Sequence, residues 1–157
     1  MSSGFVYSFL TRWEFDAPLE RVWGIIFDAD GWPSWWKGVE RVELLRPAQG
    51  PHEVGAVRRL TWKSFLPYRL TFDTMITAVE PLRFIESTVT GELEGTGRWT
   101  FSPDGGRTAV RYEWNVRTTK RWMNILAPPA RPLFRWNHEV IMRWGCEGIV
   151  RLLADPS

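Results

Sequence analysis

Residues 129–153 read PARPLFRWNHEVIMRWGCEGIVRLL and have the periodicity of one long amphipathic helix. Proline is tolerated in the first turn of a helix and not further in, so Pro128, Pro129 and Pro132 predict a start there. At about 1.5 Å per residue the helix would be on the order of 35 Å long, enough to cross a small domain. One face of the predicted helix is mostly apolar and contains Leu133, Phe134, Asn137, Val140, Ile141, Trp144, Ile149 and Leu152.

Two glycines and a histidine interrupt this face. Gly145 and Gly148 each cost about 1 kcal/mol relative to alanine inside a helix, so something must compensate. Either another segment packs very close to the helix there, or space is left for a bound molecule. Asn137 and His138 need polar partners if they are buried. They are either a satisfied polar pair in the core or polar handles inside a ligand cavity.

The composition predicts one domain, residues 1–157, with a bulky aromatic interior. The chain holds 11 Trp, 9 Phe and 3 Tyr, and its net charge of +2 gives no strong reason to expect nucleic acid as a partner. No apolar run approaches about 18 residues and the N-terminus lacks the pattern of a signal peptide, so we expect a cytoplasmic protein without a membrane span. Cys146, the one cysteine, is predicted on the outer side of the helix, and we expect no metal site and no cofactor.

Ahead of the long helix, the pattern predicts seven strands and two short helices. Strands are predicted over residues 5–15, 39–46, 56–62, 68–79, 83–89, 93–101 and 108–117, and helices over residues 18–28 and 34–37. Six consecutive strands with hairpin-length connections indicate an antiparallel meander, which the long helix is large enough to cover. Gly95 and Gly97 share one strand face and mark either a sharp bend of the sheet or a β-bulge.

Several motifs resemble those of a known superfamily. They are FDAPLERVW at residues 15–23, WPSWW at 32–36, EGTGRWTF at 94–101, YEW at 112–114 and HEVIMRWG at 138–145. With the element order, they resemble the polyketide cyclase and lipid-transport group of the START-like (SRPBCC) superfamily over nearly the whole chain. The first motif is fairly specific for the superfamily, and none is specific for an activity.

The resemblance implies an α+β helix-grip fold. In that fold a seven-stranded antiparallel sheet wraps around a long C-terminal helix, and two short helices follow the first strand. It also implies a deep hydrophobic cavity between sheet and helix. Members bind lipids, sterols, polyketides, hormones or quinones, and some cyclise or aromatise polyketides. Because the family shares no catalytic triad, only the cavity-lining role of the helix and the inward strand faces is carried over.

The candidate ligand-binding residues are aromatic, apolar and polar side chains that such a cavity would present. They are Trp62, Phe72, Trp99, Tyr112, Trp114, Asn137, His138, Ile141, Trp144 and Gly145. A mostly apolar cavity with a few polar groups is typical of small-molecule sites, whereas the alternative is that the rings fill the interior completely. Trp32, Trp35 and Trp36 are either an entrance lid or a plug under the sheet. For catalysis, the polar groups to consider are His138, Tyr112, Asn137 and Glu94, although each is more often structural.

Three functions follow from these expectations. The first is binding of a hydrophobic or aromatic small molecule of lipid, quinone or polyketide type. The second is a polyketide cyclase or aromatase that folds a flexible polyketone in the same cavity. The third is a regulatory or assembly partner, which a filled interior and a large exposed apolar patch would favour. Converging polar groups in the cavity favour the enzyme, and an all-apolar cavity favours carriage.

Overall fold

A computed structural model describes residues 6–155, apart from the side chains of residues 124 and 126–128. Its seven strands are β1 (Val6–Phe15), β2 (Val39–Arg46), β3 (Val57–Lys63), β4 (Arg69–Glu80), β5 (Phe84–Gly91), β6 (Leu93–Asp104) and β7 (Arg107–Thr118). They form one antiparallel sheet in the order β1-β7-β6-β5-β4-β3-β2. The predicted meander is therefore confirmed, with β1 added beside β7. Phe5, predicted to begin the first strand, lies outside the described residues.

Three α-helices complete the fold of residues 6–155. Helices α1 (Leu19–Phe27) and α2 (Trp32–Trp35) follow β1, and α3 (Arg121–Ala154) ends the chain. A sheet of seven antiparallel strands with one long C-terminal helix and short helices after the first strand is the helix-grip fold, so the predicted fold class is confirmed. Within residues 6–155, no helix has the length and apolar character that a membrane span requires.

The long helix begins much earlier than predicted. Pro129 and Pro132 lie inside α3 rather than at its start, and both are exposed. A proline in a helix interior leaves the carbonyl group four residues before it without its usual donor. Because this part of α3 lies at the surface, water can bond to the freed carbonyl groups, and the helix continues through both prolines.

Strand alternation directs aromatic rings toward α3. Tyr7 and Trp13 of β1 are buried and lie opposite Val116 and Val110 of β7. On β7, Trp114 is also buried, whereas the residues between these positions are mostly exposed or half-buried. The period of two in the sequence thus identifies the inward face of both strands.

Gly95 and Gly97 allow close approach between β6 and β7. The pairing of β6 with β5 and β7 runs through both glycines without a register shift, so the β-bulge alternative is wrong. At Gly95, a Cβ atom would lie 2.0 Å from the carbonyl oxygen of Asn115. At Gly97 it would lie 3.0 Å from the ring of Trp114, so glycine makes room there for an inward aromatic side chain.

The tryptophans after α1 form a plug, not a lid. Trp35 and Trp36 are 8% and 1% exposed, and the indole nitrogen of Trp36 donates a hydrogen bond of 2.9 Å to the carbonyl oxygen of Ile141 on α3. A Cβ atom at Gly145 would lie 2.6 Å from Trp36 Cε2, and one at Gly148 would lie 2.0 Å from the carbonyl oxygen of Trp35. Close packing is therefore the reason for both helix glycines.

Candidate ligand-binding cavity

A cavity lies between the sheet and the first half of α3. The space open to the centre of a water-sized molecule is about 170 Å³, on the order of ten times what one water needs. The sheet contributes Tyr7, Phe9, Arg58, Leu60, Trp62, Phe72, Ser87, Trp99, Tyr112 and Trp114 among its lining, and α3 contributes Met123, Phe134, Asn137, His138, Ile141 and Met142. The aromatic rings therefore do not fill the interior completely.

The structure brings eight of the ten predicted site residues to this wall. They are Trp62, Phe72, Trp99, Tyr112, Trp114, Asn137, His138 and Ile141. Several form a continuous aromatic surface, in which the ring of Tyr112 stacks at 3.9 Å on Trp99 and at 5.6 Å on Trp114. Planar walls of this kind suit a flat apolar molecule. Contact between these side chains and a ligand stays a prediction.

Trp144 and Gly145 are not part of the cavity lining, and their predicted contact with a ligand stays a prediction. Gly145 is one helical turn beyond Ile141, at the level where the Trp36 ring occupies the interior. Trp144 points toward the other side, where its ring meets Phe65 at 5.1 Å and Lys37 Nζ lies 4.6 Å from its centre. Helical periodicity predicts which face of the helix a residue occupies. It does not predict at which position along the helix the cavity ends.

Three buried polar atoms belong to side chains of the cavity wall and have no hydrogen-bond partner among the described residues. They are Tyr7 Oη, Trp62 Nε1 and His138 Nε2. More than about 90% of buried polar groups in proteins are bonded, and leaving one unbonded costs about 1–3 kcal/mol. None of the three atoms has appreciable surface open to the cavity, so a bound molecule would reach them only if the surrounding side chains moved.

Asn137 and His138 have different surroundings. The two alternatives, a satisfied polar pair in the core and polar groups inside a cavity, therefore have to be judged separately for each residue. Asn137 Oδ1 accepts a hydrogen bond from Ser64 Oγ and is a satisfied polar group. The His138 ring instead stacks on Phe9, with ring centres 3.9 Å apart, and its Nε2 is unpartnered. Burial lowers the pKa of His138 to about 4. The imidazole is therefore neutral at pH 7.

The tyrosines of the cavity are also neutral. Burial raises the pKa of Tyr112 strongly. For Tyr68, burial and, to a smaller extent, the nearby Tyr7 raise the pKa to about 12. Tyr112 is half-buried and lines the cavity. Both hydroxyl groups can donate a proton in a hydrogen bond at pH 7.

Arg58 is the functional candidate that the sequence reasoning missed. It lies on the inward face of β3 and is 8% exposed. Its guanidinium group donates to both carboxylate oxygens of Asp30, at 2.9 and 3.1 Å, and lies 3.6 Å from Glu53. Burial alone would lower the pKa of Arg58, but these two carboxylates raise it. The alternation of Arg58 with Leu60 and Trp62 is the signal that could have identified it.

Glu94 is excluded as a cavity group. Its carboxylate pairs with Arg117 at 2.5 Å, and it does not line the cavity. Among residues 6–155, no three His, Cys, Asp or Glu side chains are close enough together to hold a metal ion. The chemistry available in the cavity is therefore that of aromatic rings, neutral hydrogen-bonding groups and one paired arginine.

Solved structures of low sequence identity share this fold. Zhui aromatase/cyclase from Streptomyces sp. R1128 is 18% identical, with a TM-score of 0.74 over 93% of this chain and 92% of that chain. A START superfamily protein from Mycobacterium smegmatis is 16% identical, with a TM-score of 0.74 over 94% and 99%. Norcoclaurine synthase from Thalictrum flavum, in complex with dopamine and hydroxybenzaldehyde, is 14% identical, with a TM-score of 0.62 over 99% and 90%.

The sequence comparison is more specific than the shared fold. No curated protein gives a significant match. Residues 8–155 match the family model described as polyketide cyclase / dehydrase and lipid transport. This match covers nearly the whole described chain, and the fold shared with the aromatase/cyclase and the START superfamily protein agrees with it. The chain therefore belongs to the polyketide cyclase / dehydrase and lipid transport family.

Proposed function

We propose that this protein binds a hydrophobic or aromatic small molecule of lipid, quinone or polyketide type between the sheet and α3. The observation that carries the proposal is the cavity of about 170 Å³, walled by aromatic rings that leave its centre open. Each CH₂ group of a ligand moved from water into such a wall contributes about 0.8 kcal/mol. Affinity therefore needs no charged anchor.

The wall also suits aromatic ligands. Tyr112 and Trp99 present stacked rings, and Trp62 stacks on Phe72 at 6.4 Å across a neighbouring part of the sheet. Ring pairs in such arrangements contribute about 0.5–1.5 kcal/mol beyond the area they bury. The norcoclaurine synthase structure, which has the same fold, is described with two small aromatic molecules bound. That structure supports a ligand of similar size in the cavity of the present protein.

The alternative is a polyketide cyclase or aromatase that uses the same cavity. His138 favours it, because it lines the cavity and a neutral imidazole can accept a proton from a substrate. Tyr7 lies on the same side, since its ring and that of His138 both stack on Phe9. A pKa of about 4 makes His138 a weak base, however, and general-base catalysis is best near the working pH. Binding is therefore the function we favour.

The third hypothesis, a regulatory or assembly partner, has less support, since it was tied to a filled interior. A cytoplasmic location stays a prediction alongside the proposed function.

The enzyme alternative can be tested by incubating the protein with a linear triketone and following ring formation by ultraviolet absorbance. If the protein accelerates that reaction and His138→Phe abolishes the acceleration, the enzyme is the better description.

The proposal can be tested with the neutral dye Nile red. On β5, Ser87 lines the cavity, whereas its neighbour Thr88 lies on the other strand face. Ser87→Leu should fill part of the cavity and weaken dye binding at least tenfold, and Thr88→Leu should leave it unchanged. Native mass spectrometry of protein from its own host should also show a co-purifying small molecule. Equal dye binding by both variants, or none by the wild type, would refute the proposal.

A further inference from the structure

We infer that the outer side of the first half of α3 docks on the surface of a lipid bilayer that contains anionic lipids. The inference goes beyond the proposed function and does not depend on it. An exposed apolar surface and a local excess of positive charge carry it. The helix would lie along the headgroup region and would not cross the membrane. We call this surface the outer apolar face, and it consists of Phe65, Trp122, Ile125, Leu133 and Trp136.

The outer apolar face is a continuous set of large apolar side chains that the fold leaves in water. All five are exposed, Ile125 by 68% and Phe65 by 64%. At 3.6 residues per turn, the four that belong to α3 lie on one side of this helix. Phe65, from the connection between β3 and β4, extends the face, because its ring stacks on that of Trp136 with centres 6.1 Å apart. Within residues 6–155, every exposed aromatic side chain lies on this face.

The same side of α3 becomes charged after Trp136. Glu139, Arg143 and Glu147 continue the helical spacing and are exposed, as is usual for a helix side that faces water. The first half of the helix therefore departs from the pattern that its own second half follows. Single exposed apolar residues need no explanation, whereas a contiguous apolar patch marks an interaction surface.

The segment that carries most of this face is positively charged. Residues 119–138 contain four Lys or Arg and no Asp or Glu. Because the whole chain has 20 basic and 18 acidic residues, the rest of it has a net charge of −2. Lys120 pairs with Glu92 at 2.6 Å. Arg121 and Arg135 are exposed, and neither forms a salt bridge with a carboxylate in the part of the chain that the structure describes.

Exposed cations stand beside the rings of the face. Arg121 and Arg135 each precede a tryptophan of the face, and Lys37 Nζ lies 6.0 Å from the centre of the Phe65 ring. Helices that lie in a membrane interface typically combine Trp and Phe with Arg and Lys. The rings enter the boundary between headgroups and acyl chains, and the cations are attracted to anionic lipids. An anionic bilayer therefore complements this face in both polarity and charge.

A bilayer fits this face better than a second copy of the chain does. In a two-fold dimer the same surface of both copies meets, so Arg121 and Arg135 would come close to the same two arginines of the other copy. Residues 119–138 contain no carboxylate side chain that would separate these like charges. A bilayer also deforms around protruding side chains and needs no matching groove.

The outer apolar face lies directly behind the cavity. The ring of Trp122 meets that of Tyr68 edge to face at 5.1 Å, and Tyr68 lines the cavity. Met123 and Phe134, each next to a residue of the face in the sequence, line the cavity from the inner side of α3. One helix, about 10 Å thick, thus separates the cavity from the face. Docking would place the cavity beside the lipid.

Co-sedimentation of the full chain with vesicles tests the inference. The wild type should bind vesicles of phosphatidylcholine and phosphatidylglycerol in equal amounts about tenfold more tightly than vesicles of phosphatidylcholine alone, and added salt should weaken this binding. Arg121→Gln and Arg135→Gln should each weaken it about fivefold, as expected for one cation near an anionic surface. Trp122→Ala combined with Trp136→Ala should weaken it about tenfold, because less apolar area is buried in the interface.

Matched controls replace residues of similar type elsewhere on the surface. Leu44→Ala removes an exposed apolar side chain from β2, and Arg12→Gln removes an exposed charge from β1. Both should bind the vesicles as the wild type does. Circular dichroism would verify that each variant is folded. Phe65→Ser tests the same face without a change in α3 and should also weaken binding severalfold.

Several results would overturn the inference. It is wrong if the wild type does not bind the anionic vesicles, or binds them no better than neutral ones. It is also wrong if the double tryptophan variant and Phe65→Ser bind as the wild type does. Sedimentation equilibrium covers the case of a second copy: a dimer that the tryptophan variant turns into monomers would mean that the chain covers its own face. Nile red binding without vesicles tests the cavity separately, so the failure of one proposal is distinguished from the failure of the other.

Discussion

Replacing Gly148 with alanine should destabilise this protein, although the same substitution stabilises most helices. A Cβ atom there would lie 2.0 Å from the carbonyl oxygen of Trp35 and 3.0 Å from its carbonyl carbon. Both are backbone atoms, so no side-chain rotation relieves the contact. Either α2 or α3 has to move, and Trp36, which is 1% exposed, would move with them.

The size of the effect follows from two opposing terms. Overpacking a core costs about 1–3 kcal/mol, and a contact this short to backbone belongs at the upper end. Alanine stabilises a helix by about 1 kcal/mol relative to glycine, which offsets part of this cost. The free energy of unfolding should therefore fall by about 2 kcal/mol, which for a chain of this length lowers the melting temperature by about 4–8 °C.

Gly24 in α1 provides the matched control. A Cβ atom at Gly24 meets no heavy atom within 4 Å. Gly24→Ala should therefore raise the free energy of unfolding by about 0.5–1 kcal/mol. Thermal and urea denaturation, followed by circular dichroism, would measure both variants. The close contact between α3 and α2 is refuted if Gly148→Ala is as stable as the wild type, or if both variants become more stable.

Two further predictions concern buried polar groups. Burial lowers the pKa of His138 from 6.5 to about 4. The unfolded chain therefore binds more protons between these values. The free energy of unfolding should fall by about 3 kcal/mol as pH falls through this range. Nuclear magnetic resonance titration should give a midpoint near the lower value, and one near 6.5 would contradict the buried environment. Thr108 is fully buried and its Oγ1 donates a hydrogen bond of 2.7 Å to the carbonyl oxygen of Ala17. Thr108→Val should cost about 1 kcal/mol in urea denaturation, and the exposed Thr90→Val should change little; equal effects would count against the hydrogen bond.

Short-range patterns were sufficient for most of the fold. The alternation of apolar residues placed β2 at residues 39–46, its observed bounds, and the inward face of β7 was assigned correctly. Turn residues between the strands gave the meander, because hairpin connections leave little choice of pairing partner. The start of α3 was wrong for an equally local reason. Prolines normally mark a first turn, and their tolerance inside this helix depends on its position at the surface.

The cavity depends on contacts that no local pattern contains. The alternation of Arg58 with Leu60 indicates that it points inward, but its ion pairs could not be predicted, because Asp30 and Glu53 come from two separate turns of the chain. The same holds for Gly145, whose neighbour Trp36 belongs to a different part of the sequence. Periodicity identified the side chains that point inward. Only the three-dimensional arrangement shows which of them meet one another and which face open space.

The glycines of α3 divide this helix into two parts with different surroundings. In the second part, Gly145 and Gly148 let the helix lie against Trp35 and Trp36, and Ile149 beside them is 0% exposed. In the first part, larger side chains such as Phe134 and His138 line the cavity. Small residues therefore close the space between helix and plug, whereas large ones border the open space.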